Sequence, residues 1–258
     1  MVKFTDAHRD HMGENVVRAR ELTLRARDVR RIHQGHYTVP MEFPRAPHLQ
    51  GAVIVVTSFF IRHPDGPILL DTGFALGHAK AEALFHPVVR DFDDALRDMG
   101  VKPNEVRAIA NCHLHIDHSG NNWRFPGTPI FIQKAERDAA STTLDYSLPD
   151  KTIAFPGATL EVLNGEEAEV ARGVRIIPTP GHTAGHQSFV VDTEEGRIVI
   201  AGQAFNETSD YTRALLAWRL DREGQPHPPY APWVARLQEL DPWRVVFAHD
   251  LAIWERGV

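Results

Sequence analysis

Short apolar runs, each closed by a turn residue, recur along most of the chain and read as β-strands. "GAVIVVTSFFIRH" (51–63), "PDG" and "PILLDTG" (67–73) make two strands about a tight turn. "VRAIANCH" (106–113), "TPIFIQ" (128–133), "TIAF" (152–155), "LEVL" (160–163) and "VRIIPTP" (174–180) read as further strands. "HQSFVVDTEEGRIVIAGQ" (186–203) repeats the strand–turn–strand unit, and "RVVFAHD" (244–250) is the last strand. Helical spacing runs through "AKAEALFHPVVRDFDDALRDMG" (79–100), stopped by Gly100, and through "KAERDAA" (134–140) and "APWVARLQEL" (231–240). The arginine-rich stretch from Arg18 to Arg31 is interrupted by acids and reads as a solvated amphipathic helix.

The two hairpins share a plan: apolar strand, turn with Asp and Gly, apolar strand, Gly-marked exit ("DTG", "AGQ"). That predicts two similar β-rich halves, each followed by helices. Interleaved strands and helices predict one α/β domain over 1–258, with layered sheets and helices outside. "GQPHPPYAP" (224–232) is too short for a linker and reads as a surface loop or lid edge.

A length of 258 residues allows one large core. Apolar residues at 43% and charged residues at 24% are ordinary for a soluble protein. The net charge of −6 lacks the basic footprint of a nucleic-acid binder. One cysteine, Cys112, excludes an internal disulfide framework and a thiolate metal cage, and reads as a buried thiol. "MVKFTDAHRDHMGE" has no apolar signal core, and no run approaches the roughly 18 residues of a membrane helix. A cytoplasmic protein with no membrane partner is expected.

The chemistry concentrates in "HLHIDH" (113–118), which places four donors in six positions after a buried strand. His113, His115 and Asp117 alternate, which at a strand end turns them to one side, while His118 must point elsewhere. Imidazole and carboxylate suit zinc, and also iron, manganese or cobalt. His182 follows Pro180-Gly181, where the backbone can turn sharply, and His249 ends the last strand. With Asp117 and His118 these make six donors, too many for one tetrahedral ion with a water position and suited to two.

These motifs resemble the metallo-β-lactamase superfamily. "HLHIDH" matches its HxHxDH signature, and "LLDTG", "TPGHTAGH", "AGQ" and "FAHD" stand in its order. "HLHIDHSGNN", "PIFIQKAE" and "PGHTAGHQSFVV" look most like the N-acyl homoserine lactonase branch. The resemblance covers roughly residues 50 to 250. It implies a four-layered αβ/βα sandwich with a dinuclear site between the sheets. It further implies that His113, His115 and His182 hold one metal, and Asp117, His118 and His249 the second. Zinc, one or two per chain, is the implied cofactor. Asp71 would orient ligands and His186 would stabilise its loop. Asp117 would shuttle a proton while a metal-bound hydroxide attacks a lactone or related ester. The biological setting implied is quorum quenching.

This chain departs from the family on one loop. The bridging aspartate after Gly202 is Gln203, a neutral amide, and the tyrosine three residues on is Asn206; Tyr211 is the candidate to replace that phenol. Phe205, Leu215, Leu216, Trp218, Tyr230 and Trp233 read equally as the lining of an acyl pocket or as ordinary helix core. Alternatives are a single-metal relative, hydrolytic or redox, and a ligand-binding non-enzyme with a degraded second site. The partner expected is a small lactone or ester, with a homodimer among the assemblies open to the chain.

Overall fold

The computed structural model describes residues 24–44, 46–142 and 148–257. Among these residues, seven strands form the first sheet: β1 (Val29–Thr38), β2 (Val53–Ile61), β3 (Ile68–Leu70), β4 (Val88–Val89), β5 (Ala108–Ala110), β6 (Pro129–Gln133) and β7 (Thr159–Leu163). Their order is β4-β1-β2-β3-β5-β6-β7. The second sheet holds β8 (Ala168–Ala171), β9 (Val174–Pro178), β10 (Gln187–Thr193), β11 (Gly196–Ile200), β12 (Arg244–Val246) and β13 (Ile253–Glu255), in the order β13-β12-β11-β10-β9-β8.

The two halves do repeat. β2 pairs antiparallel with β3, which pairs parallel with β5; β10 pairs antiparallel with β11, which pairs parallel with β12. In both halves the parallel strand ends at a histidine stretch. Between the sheets lies a core of Phe59, Ile61, Leu70, Ile176, Phe189, Val191 and Ile200. Outside the first sheet, α2 (Phe92–Met99) buries Phe92, Ala95 and Leu96 with Ala140 of α4 (Lys134–Thr142). Outside the second, α6 (Thr208–Arg222) and α7 (Pro232–Glu239) bury Tyr211, Trp233, Val234 and Leu237. The result is the expected four-layered αβ/βα sandwich, the metallo-β-lactamase fold.

Several local readings change. The helix expected over 79–100 is two, α1 (Ala79–Phe85) and α2, because His86 turns left-handed (φ 45°) before Pro87 and the chain pairs as β4. "TIAF" is no strand: α5 (Pro149–Thr152) ends in it and Phe155 drops into the core. Of the Arg18–Arg31 stretch, residues 18–23 lie outside the described residues; from Ala26 it is a 3-10 turn and then β1, held by its partner β2. The proline-rich 224–232 segment is an exposed connection between α6 and α7. No described helix is long and apolar enough to cross a membrane.

Candidate metal centre

Five chain segments leaving the sheets meet at one end of the sandwich. β3 delivers Asp71, β5 the 113–118 stretch, β9 the 180–186 loop, β11 Gly202 and Gln203, and β12 His249. The 113–118 stretch is not strand-like, so alternation is not what gathers its side chains. His115 caps α3 (Ile116–Ser119), which carries Asp117 and His118 on its single turn. The turn is clamped from outside: Thr72 N donates to His118 O (2.6 Å), and Asn121 Nδ2 donates to Thr72 O and Phe74 O.

Two triads result. His115 Nδ1 lies 2.9 Å from His113 Nε2 and 3.1 Å from His182 Nε2. His118 Nε2 lies 3.1 Å from His249 Nε2, and Asp117 Oδ2 lies 3.5 Å from both. The rings of His113 and His118 stand 4.2 Å apart, so the triads adjoin.

Proton bookkeeping shows what the second triad wants. His118 Nδ1 donates to the Asp71 carboxylate (2.9 Å) and His249 Nδ1 to Val55 O (2.7 Å), groups that only accept. Both Nε2 atoms therefore turn lone pairs toward each other and toward the Asp117 carboxylate. Three acceptors that close need a positive charge among them. At metal–nitrogen lengths near 2.0–2.1 Å, tetrahedral ligand atoms sit about 3.4 Å apart, which these spacings approach. Gln203 adds an oxygen: its Nε2 donates to Asn206 Oδ1 (2.9 Å), while its buried Oε1 has no hydrogen-bond partner. The residues fit a divalent cation.

A second ring of contacts holds these groups. Asp71, left-handed at φ 64°, accepts from Cys112 N (2.8 Å) as well as from His118. Glu136 of α4, buried, accepts from Leu114 N (3.2 Å) and Gly185 N (3.0 Å), tying the two histidine loops together. His186 Nε2 accepts from Gln203 N (3.0 Å) and its Nδ1 donates to Thr179 O (3.1 Å), so both ring nitrogens are engaged. His186 holds the loop, as expected. Gly202 is obligatory here, since a Cβ at its φ of 55° would lie 2.4 Å from Cys112 Cβ.

Burial, with His118 and His115 beside it, drives the His113 pKa well down. Burial and neighbouring imidazoles lower His186 to about 3. His249 falls to about 4, where burial and His118 outweigh Asp117. His182 opens to the cavity mouth, yet the protein packed around it and His115 hold it down at about 2. Burial pushes Asp117 upward, but His118 and His249 prevail and hold it at about 2. His118 alone moves up: burial opposes this, and Asp117 and Asp71 overcome it.

The centre floors a cavity of about 550 Å³ walled by Val39, Phe43, Leu49, Phe85 and Ile116, with His115, Asp117, His182, Gln203 and Asn206 at its base. Of the two readings of Phe205, Leu215, Leu216, Trp218, Tyr230 and Trp233, helix packing holds and the acyl pocket does not. Those residues belong to the α6–α7 layer, where Phe205 and Trp233 pack in the core and Leu216 faces solvent. Tyr211 is likewise misplaced as a catalytic phenol: it is fully buried among Phe205, Phe247 and Trp254, and its hydroxyl accepts from Gln238 Nε2 (2.7 Å). The phenol at the cavity is Tyr37 of β1, whose hydroxyl donates to Asp117 Oδ2 (3.1 Å). Sequence reasoning missed both Tyr37 and Glu136. Glu136 lay inside the "QKAE" stretch already singled out, but nothing local to Tyr37 marked it.

Residues 51–249 match the family profile described as the metallo-beta-lactamase superfamily. An N-acyl homoserine lactonase of Bacillus sp is 34% identical over 157 residues, 56% of this chain and 61% of that protein. The N-acyl homoserine lactonase AttM of Agrobacterium fabrum is 31% identical over 163 residues, 54% and 60% of the two chains. The chain thus spans about three fifths of the length of the curated relatives it matches. Among solved structures, a mutant of Bacillus thuringiensis AiiA with N-decanoyl-L-homoserine bound at the active site superposes with a TM-score of 0.68 at 24% identity, covering 89% of this chain and 95% of that one. A quorum-quenching N-acyl homoserine lactone lactonase does so with 0.68 at 25%, covering 89% and 94%.

Proposed function

Since the chain belongs to the metallo-β-lactamase superfamily, we propose that it is a metal-dependent hydrolase that opens lactones of the acyl homoserine class. The observation that carries this reading is a six-donor centre on the floor of an apolar-walled cavity. His113, His115 and His182 would hold one ion, and Asp117, His118 and His249 a second, with Gln203 Oε1 facing them. Zinc suits this mixture of imidazole and carboxylate. Bound there, divalent ions supply a water nucleophile near neutral pH and polarise a carbonyl oxygen.

The chain's own residues do the rest. Val39, Leu49, Phe85 and Ile116 offer an apolar wall for an acyl chain and exclude water from it. Asp117, held ionised, is a proton acceptor at the base of the cavity, and so the candidate to carry a proton to the departing alkoxide. Asn206 is committed to the Gln203 amide and orients it. An unequally filled centre is part of this reading: Gln203 stands where the family's bridging aspartate would and brings no charge, so the His113–His115–His182 position would fill first. Small lactones as partners, a cytoplasmic setting and interception of quorum signals belong to the same proposal.

The test is a pH-stat assay on short- and long-chain acyl homoserine lactones, with metal per chain measured on the same preparation. We expect ring opening that chelation abolishes. Metal-loaded protein with no ring opening across chain lengths would remove the lactone reading.

A further inference from the structure

β1 carries a built-in irregularity that bears on the centre. Its register against β2 runs from Ile32↔Ser58 to His33↔Thr57 and then Gly35↔Val56, so Gln34 is an extra residue. Such a bulge inverts the alternation beyond it. Ile32 opposes Ser58 and Tyr37 opposes Ile54, both even positions of β2, so the two side chains share one face although their numbers differ by an odd count. Without the bulge, residue 37 would turn to the other side of the sheet. Gly35 makes the bulge feasible: at φ 146° a Cβ would stand 2.1 Å from Val88 O. Gln34 is fixed in turn, accepting from Phe74 N (2.7 Å) and donating to Phe74 O and Arg90 O.

The bulge brings the Tyr37 ring against Phe85 (5.5 Å, near-perpendicular), Phe74 (5.8 Å) and His249 (6.5 Å, 88°), and its hydroxyl onto Asp117 Oδ2. One side chain thus touches two of the three members of the second triad. Among the described residues it is the only phenol lining the cavity.

We propose that Tyr37 is a positioning residue for the second cation position, its hydroxyl fixing the Asp117 carboxylate against the His118–His249 pair. A buried carboxylate free to rotate would share its oxygens among competing directions; an O–H donor on Oδ2 selects one. Outer hydrogen bonds of this kind typically set metal affinity by about 10–100-fold. The inference rests on the reading of these residues as a metal centre, and does not depend on which bond the centre cleaves.

The experiment is Tyr37→Phe, which keeps the ring and removes the hydroxyl, with Tyr37→Leu as its companion. Metal-free protein is titrated with Co²⁺ against a chromophoric chelator, following the visible cobalt bands. In Tyr37→Phe the weaker equivalent should lose about 10-fold in affinity, while the tighter one stays within about twofold and thermal stability is kept. Lactone turnover should fall in kcat with little change in KM. Two equivalents bound as tightly as in the parent would overturn the proposal, whatever Tyr37→Leu does, since ring packing alone would then account for the residue. Equal weakening of both equivalents would overturn it too. Selective loss of the weaker equivalent, in a protein that opens no lactone, would uphold Tyr37 and discard the substrate reading alone.

Discussion

Asp71 Oδ2 and His118 Nδ1 lie 2.9 Å apart with both side chains all but sealed from solvent. The carboxylate accepts only, so it fixes the proton on Nδ1 and turns the Nε2 lone pair toward His249 and Asp117. Removing it frees the ring and also orphans Cys112 N, which donates to Asp71 Oδ1. Asp71→Ala should weaken metal affinity by about 10–100-fold with the ligand set intact. Chelator competition checks this; a variant matching the parent would reduce Asp71 to a turn residue.

Gln203→Asp should raise metal occupancy. Two divalent ions about 3.5–4 Å apart repel strongly, and the unpartnered Gln203 Oε1 offers them a lone pair but no charge. The parent is expected to hold fewer than two ions per chain at limiting supply and to gain activity with added metal. The aspartate variant should hold two ions and hydrolyse lactones faster, yet unfold at lower temperature when metal-free, because its buried carboxylate then lacks a counter-charge. Two ions retained by the parent through mild chelation would contradict this account.

Metal-free protein should lose stability on acidification below about pH 6.5. His113, His186 and His249 are all held below their ordinary value in the folded chain, by burial first and then by their imidazole neighbours. Once unfolded they take up protons near 6.5, so the unfolded state binds more protons and stability falls as pH falls. His118, shifted upward, acts in the opposite sense but alone. The melting temperature should drop by roughly 4 °C or more from pH 7 to pH 5, the size of shift that about 1–2 kcal/mol produces in a chain of this length. A flat or rising profile in differential scanning calorimetry would refute it.

Tyr211→Phe should leave lactone turnover as it is. The hydroxyl serves only Gln238 at the α6–α7 contact, so its loss costs about 1 kcal/mol of stability and nothing at the cavity. Parallel kinetics and melting curves decide; a drop in kcat beyond about threefold would bring Tyr211 back as a catalytic group.

The strands of the two hairpins and the six donors were legible because each depends on local pattern: apolar runs, turn residues, a dense histidine signature; the four-layered sandwich followed from the family resemblance those motifs carry. What escaped depends on distant partners. β1 was missed because arginines and histidines fill its sequence, and only pairing with β2 and β4 makes it a strand. Tyr37 was missed for the same reason, since its direction is decided by one inserted residue that no periodicity reveals. Aromatic content between Phe205 and Trp233 left an acyl wall and helix core equally open, and those aromatics are spent on covering the second sheet. Strand alternation would join Asp117 to His113 and His115 and turn His118 away, whereas the helical turn puts Asp117 and His118 together with His249 and leaves His113 and His115 with His182.

The doubled hairpin-and-parallel-strand plan has a kinetic consequence. His118 and His249 meet across 131 positions of chain, and each stands at the mouth of a different sheet. No partly folded species with one sheet formed can close either the second triad or the first, since His182 follows the second sheet's β9 and His113 the first sheet's β5. Nascent chain should therefore bind divalent ions only weakly until the halves dock. Ion capture then becomes the closing event of assembly, a latch set after both leaves of the sandwich have shut.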